Sequence, residues 1–152
     1  MKTYILERDI WLAQPIDVVF PFFADARNLE LLTPPWLHFK ILTPDLLEMR
    51  RGMRIDYQLR VHRVPIRWES EITAWDPPHR FVDEQRRGPY RMWIHEHTLT
   101  EKDGGTVARD YIRYAVPGGP IIHRLFVLPD LERIFNYRYA KLKEIFGVVP
   151  ED

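Results

Sequence analysis

Arg91-Met92-Trp93-Ile94-His95-Glu96-His97-Thr98-Leu99 alternates so that Trp93, His95, His97 and Leu99 share one side of an extended strand. The run before it, Arg80-Phe81-Val82-Asp83-Glu84-Gln85-Arg86, places Phe81, Asp83 and Gln85 together on one side. If these sides face inward with Asp110 of the next run, the interior holds two carboxylates, two imidazoles and an amide. Burying such groups without hydrogen-bond partners costs about 1–3 kcal/mol each, so an ordinary core avoids them. The stretch therefore reads as the wall of a cavity.

Working outward, inward residues must pair with inward residues, and this parity tests the register. Met53, Ile55, Tyr57, Leu59 and Val61 alternate with charged or polar neighbours, and so do Ile66, Trp68, Ser70, Ile72 and Ala74. A loop at His62–Pro65 pairs Val61 with Ile66 and Tyr57 with Ser70. Past Asp76-Pro77-Pro78, Ala74 meets Phe81 and Ser70 meets Gln85. A turn at Gly88-Pro89-Tyr90 sets Asp83 opposite His95 and Gln85 opposite Trp93. The Lys102–Gly105 loop then sets His97 opposite Asp110 and Trp93 opposite Tyr114. Every step agrees with one antiparallel sheet that has a single inner face.

The flanks differ in period. Thr3–Leu12 reads as a first strand, and Pro15 opens a helix over Ile16–Ala24 with Val18, Val19, Phe22 and Phe23 as its apolar face. A second short helix, Ala26–Leu32, stops at Thr33-Pro34-Pro35. Trp36–Thr43 reads as a strand and Pro44–Gly52 as a loop. After Pro117-Gly118-Gly119-Pro120 comes an apolar helical piece, Ile121–Leu128, with Pro129 expected to kink or restart the helix. Asp130–Phe146 carries a stripe of Leu131, Ile134, Phe135, Leu142, Ile145 and Phe146 and ends at Gly147. The reading is α+β: a curved seven-stranded antiparallel sheet wrapped around a long C-terminal helix, with two short helices after the first strand, as one domain over residues 1–152.

Composition narrows the function classes. Lys and Arg total 22, as do Asp and Glu, so no net field attracts nucleic acid or acidic lipid. Cysteine is absent, which removes disulfides, thiolate metal sites and thiol nucleophiles. No run approaches the ~20 apolar residues of a membrane span, and Met1–Arg8 lacks a signal-peptide core. The expectation is a soluble cytoplasmic protein with no stable membrane anchor and no nucleic-acid partner.

The order of elements is the helix-grip arrangement. The segments Phe23-Ala24-Asp25-Ala26-Arg27-Asn28-Leu29-Glu30, Leu32-Thr33-Pro34-Pro35-Trp36, Arg80–Gln85, Gly88-Pro89-Tyr90 and Trp93–His97 together resemble the SRPBCC superfamily. That group contains START-like lipid carriers, pollen-allergen-like ligand binders and polyketide cyclases. The resemblance runs from about Ile5 to Phe146 and is strongest for stand-alone bacterial members; a similar domain is sometimes fused to nucleotide-sugar epimerase-like proteins. It implies a cavity between sheet and helix and leaves activity open, because one fold serves many chemistries.

The candidate pocket residues are Tyr57, Trp68, Ser70, Asp83, Gln85, Trp93, His95, His97, Asp110, Tyr114, Phe135 and Arg138. In one reading the polar members anchor a mostly apolar ligand. In another, Asp83–His95 and Asp110–His97 pairs tie the strands together without touching a ligand. Either way, ionised carboxylates beside the histidines should raise the imidazole pKa values. His95, His97, Asp83 and Asp110 are also the candidate catalytic residues, with a His–Asp pair moving protons in an aldol cyclisation or dehydration. Metal binding through His95, His97 and a carboxylate is weighed and set aside, since both carboxylates already serve as histidine partners and no third histidine lies nearby; no cofactor is expected. Ser70 leaves room in a pocket, and Arg138 holds an acidic head group, snorkels to solvent or pairs with a core carboxylate. Ile121–Leu128 gates the cavity, touches lipid, or packs on the sheet mouth or on a homodimer partner. The leading expectation is a non-enzymatic or weakly catalytic binder of a hydrophobic small molecule such as a lipid, quinone or polyketide-like aromatic. A cyclase or dehydratase is second, and a partner-binding regulatory module with a filled core is third.

Overall fold

The computed structural model describes residues 1–43 and 49–147. The alternating runs form five successive strands: β3 (Arg54–Val61), β4 (Val64–Asp76), β5 (Arg80–Arg87), β6 (Met92–Lys102) and β7 (Gly105–Ala115). With β1 (Tyr4–Leu12) beside β7 and the short β2 (Lys40–Ile41) beside β3, they make a seven-stranded sheet in the order β1-β7-β6-β5-β4-β3-β2. Every pairing is antiparallel. This is the expected α+β helix-grip architecture.

Register agrees with the parity argument where the chemistry lies. Asp83 stands opposite His95, His97 opposite Asp110, Trp93 opposite Tyr114 and Ser70 opposite Gln85. Two joints differ. The β3–β4 hairpin closes through His62 and Arg63 alone, both with positive φ (49° and 69°), so Tyr57 faces Trp68 and Val61 faces Val64. A two-residue turn with both φ values positive matches the twist of the flanking strands. The resulting shift is even, so each side chain keeps its face. Between β4 and β5 the ladder breaks at Ile72/Ala74, and Ala74 meets Val82 instead of Phe81. One extra residue reverses parity there. Trp75, placed outward by strict alternation, turns inward against Phe20 and Phe81.

The flanking helices follow their sequence signals with small corrections. α1 (Ile16–Phe23) starts after Pro15 and buries Ile16, Val19 and Phe20, while Val18 is exposed and Phe22 and Phe23 are half-buried. The second helix is a 3-10 turn, Ala26–Asn28, running into α2 (Leu29–Leu32). The strand expected over Trp36–Thr43 shrinks to β2, because Pro35–Leu37 coils into a 3-10 turn. Residues 44–48 of the expected Pro44–Gly52 loop lie outside the described residues.

At the C-terminus α3 (Gly119–Ile122), a π turn (His123–Val127) and α4 (Leu128–Phe146) follow one another without a break. The expected restart at Pro129 takes the form of α4 beginning at Leu128 with the proline in its first turn, after a widened turn in which the Leu128 N–H donates to the His123 carbonyl. The extra residue per turn accommodates a proline that lacks an N–H and whose ring would crowd the preceding turn. His123 anchors this turn: its ring stacks on Tyr4 and its Nε2 lies 2.7 Å from the Tyr114 hydroxyl. α4 buries Leu131, Phe135, Arg138, Leu142 and Phe146 against the sheet, spaced three and four residues apart, whereas Ile145 is exposed.

Candidate ligand cavity and its polar floor

Between the inner face of the sheet and α4 lies a cavity of about 720 Å³. Trp36, His62, Arg63 and Arg133 line it and are exposed, so it opens where the Pro35–Leu37 turn, the β3–β4 hairpin tip and α4 approach one another. His62 and Asp130 span that opening with a 2.8 Å contact. The walls are mainly aromatic and aliphatic. Trp68 stacks on Tyr57 and meets Trp93 and Tyr90 edge-on, with Leu59, Leu131 and Phe135 nearby in the same cluster. Ser70 is the small polar residue in this wall. Its hydroxyl accepts the Trp68 indole N–H at 3.0 Å and lies 3.1 Å from the Tyr57 hydroxyl.

The floor is polar and comes from β5, β6, β7 and α4. Strand alternation projects Asp83, His95, His97 and Asp110 inward, as the parity argument requires. The hydrogen bonds, however, run diagonally rather than straight across the ladder. His95 Nε2 lies 2.7 Å from Asp110 Oδ1, and His97 Nε2 lies 2.7 Å from Asp83 Oδ2. The expected Asp83–His95 and His97–Asp110 pairs are the longer contacts, at 3.9 and 3.5 Å. Diagonal neighbours on a twisted ladder remain within reach of long side chains, and ring stacking selects this arrangement. Phe81, His97 and His95 form a column with centroid spacings of 4.1 and 3.7 Å.

Asp110 is the most heavily partnered group. Besides His95 it accepts from the Tyr139 hydroxyl at 2.9 Å, and its Oδ2 lies 3.3 Å from the Arg138 guanidinium. Burial alone would raise its carboxyl, but the Arg138 charge and the two histidines hold it far below the usual range. Asp83 is also held below its ordinary value, because the His97 bond and the charges around it outweigh burial. With both carboxylates ionised, the imidazoles donate. The raised histidine pKa expected from the carboxylates does not occur at His97. Burial first, and His95 stacked on it second, push that imidazole down to about 4 despite Asp83. Burial and nearby carboxylates likewise push the Tyr57 and Tyr139 phenols upward.

Nine of the twelve candidate residues line the cavity: Tyr57, Trp68, Ser70, Asp83, Trp93, His95, His97, Phe135 and Arg138. The other three stand behind it. Gln85 clamps the β5–β6 turn, donating to the Tyr90 carbonyl and accepting the Tyr90 N–H. Asp110 supports the histidines from beneath, and Tyr114 holds His123. Sequence reading missed Tyr139 and Arg8. Arg8 pairs with Asp110 on the β1–β7 ladder, donates to Asn136 and lies over the Tyr139 ring. The alternation of β1, with Arg8 in phase with Leu6 and Ile10, carried that signal.

The curved sheet, the long helix and the walled cavity between them define a helix-grip ligand-cavity protein. The chain belongs to the family described as polyketide cyclase/dehydrase and lipid transport, whose model matches residues 12–138. No curated protein matches the chain in sequence. Among solved structures it is similar to the Zhui aromatase/cyclase from Streptomyces sp. R1128, at 18% identity and a TM-score of 0.73 over 94% of this chain and 93% of that one. Ginseng major latex-like protein 151 from Panax ginseng aligns at 11% identity and a TM-score of 0.70, covering 97% and 99%. A nucleoside-diphosphate sugar epimerase from Corynebacterium glutamicum matches 91% of this chain with 28% of its own length, at 20% identity and a TM-score of 0.66. At these identities the likeness is one of fold. No helix among the described residues is long and apolar enough to cross a membrane.

Proposed function

We propose that this protein binds an amphipathic, largely apolar small molecule, of the lipid, quinone or polyketide-like aromatic class, in the cavity between sheet and α4. The observation that carries the reading is the cavity itself: about 720 Å³, walled mainly by aromatic and aliphatic side chains, with Asp83, His95 and His97 as the polar groups of its floor. Small-molecule sites typically enclose about 300–1,000 Å³ and use few polar groups to fix orientation. The apolar body of the ligand lies along Trp68, Trp93 and Phe135, and its polar end meets Asp83, His95 and His97. A cavity of this size disfavours a filled-core interaction module. The cysteine-free composition and the balanced charge fit a cytoplasmic setting.

Native mass spectrometry of protein purified from its own host tests the binding reading. A co-purifying apolar molecule, or a thermal shift with quinones, fatty acids or polyphenolic aromatics, is the expected result. Protein that carries nothing and shifts with none of them overturns it.

A second reading, cyclase or dehydratase chemistry, is favoured by one observation. His95 is oriented by Asp110 at 2.7 Å, while its other ring nitrogen faces the cavity floor beside Asp83. That is the geometry of an imidazole held to move a proton. Here His95→Ala abolishes turnover of a poly-β-ketone substrate and retains binding; equal loss of both leaves only the carrier reading.

A further inference from the structure

The two imidazoles of the floor face the same two carboxylates with opposite edges. On one side, His97 Nε2 and His95 Nδ1 lie 2.7 and 3.9 Å from Asp83 Oδ2. On the other, His95 Nε2 and His97 Nδ1 lie 2.7 and 3.5 Å from Asp110 Oδ1. Four ring nitrogens thus meet two carboxylate oxygens, and a neutral imidazole has only one N–H to give. With His95 donating to Asp110 and His97 donating to Asp83, two bare nitrogens are left pointing at acceptors. One of them, His97 Nδ1, is buried and has no hydrogen-bond partner. Protonating both rings instead would stack two cations at 3.7 Å.

A divalent cation resolves the mismatch. We propose that Asp83, His95 and His97 form a binding site for a zinc-class divalent metal ion at the cavity floor, with Asp110 as the carboxylate that orients both imidazoles. One oxygen and two nitrogens of the trio lie within 4.8 Å of one another; an ion with bonds of about 2.0–2.2 Å spans at most about 4.4 Å, so a small side-chain rotation brings all three onto one ion. His95 binds through Nδ1 and keeps its Nε2–H bond to Asp110. His97 binds through Nε2, and the proton that leaves this nitrogen is taken by Nδ1, which then donates to Asp110. Neutral imidazoles lose no net proton in this exchange, and every ring nitrogen gains a partner. A ligating histidine whose second N–H is held by a carboxylate is the usual outer support of such sites. Charge points the same way. With neutral imidazoles, Asp83 and Asp110 oppose only the Arg138 guanidinium within the cluster, and Arg8 sits a layer further out on Tyr139. Two imidazoles and one carboxylate suit zinc, cobalt or nickel better than calcium or magnesium. Asp83 and both histidines line the cavity, so further positions on the ion face the bound organic molecule.

The test is titration of chelator-treated full-length protein with Co²⁺, without organic ligand, read by visible absorption. One equivalent giving the intense bands of a four- or five-coordinate ion, displaced by Zn²⁺ and lost in His95→Ala and His97→Ala, is the expected result. Because either variant can lose its fold, nitrogen-15 NMR of wild-type imidazoles supplies a second readout. Zn²⁺ should move the His97 proton from Nε2 to Nδ1. No stoichiometric uptake, uptake that survives both substitutions, or an unchanged His97 tautomer overturns the proposal. Such failure leaves the apolar-ligand reading intact, just as a cavity that binds no organic molecule leaves the metal result standing.

Discussion

Asp110 holds the polar floor in place, since His95, Arg138 and Tyr139 all converge on its two oxygens. Replacing one member of a buried charge pair leaves its partner uncompensated, which costs about 3–5 kcal/mol. Asp110→Ala should lower unfolding stability by that amount in urea; a loss below about 1 kcal/mol would show that the contacts are not coupled to folding. His97 sets a pH dependence. Its imidazole titrates at about 4 when folded, against an ordinary value of 6.5, so the unfolded chain binds more protons between these limits. The contribution is therefore present above about pH 6.5 and is lost as pH falls toward 4. The lowered carboxyls of Asp83 and Asp110 add to the loss at still lower pH. The unfolding free energy from urea titrations should fall with acidification from pH 6.5, by up to about 3 kcal/mol from His97. His97→Gln should flatten that part of the profile.

Among the elements, the β6–β7 hairpin is the most tightly constrained. It turns through Asp103 and Gly104, both with positive φ, and re-enters the sheet at Gly105. A Cβ on Gly105 would strike the Leu12 carbonyl and the Trp11 ring, where the end of β1 lies beside the start of β7. Backbone cannot move aside as a flexible side chain can. Gly105→Ala should therefore cost about 1–3 kcal/mol by thermal unfolding, the usual penalty for overpacking. Gly104→Ala meets no atom within 4 Å and should cost only the strain of its left-handed backbone, about 1 kcal/mol. The β4 bulge works in the other direction: it admits an extra residue and turns Trp75 into the core against Phe20 and Phe81.

For the whole molecule, the interior holds two clusters that both contribute to the cavity wall. One packs α1 and the C-terminal end of α4 on the sheet, and the other gathers Trp68, Trp93, Tyr114 and Phe135. Space left between them is stability the free protein lacks and a ligand supplies. A ligand at 100 times its dissociation constant should stabilise the fold by about 2.7 kcal/mol. Ile66→Trp, on the cavity wall, should occupy that space: the free protein melts no lower than wild type, and the ligand-induced shift disappears. A retained shift would place the ligand elsewhere.

The sequence alone determined the sheet, its order along the chain and, Trp75 apart, the inward set of residues on β3–β7, because side-chain period and pairing parity are properties of covalent geometry. Asp83, His95, His97 and Asp110 were legible as neighbours for that reason, and Arg8 was equally available in the alternation of β1. Tertiary structure decided what parity cannot see. The bulge at Thr73 and the two-residue turn at His62-Arg63 set the true offsets. Strand twist and the Phe81–His97–His95 stack exchanged the expected carboxylate partners. Packing of α4 brought Arg138 and Tyr139 onto Asp110 from a segment about thirty residues away. These are contacts across the interior, selected by which side chains fill the same space, and no local pattern encodes them.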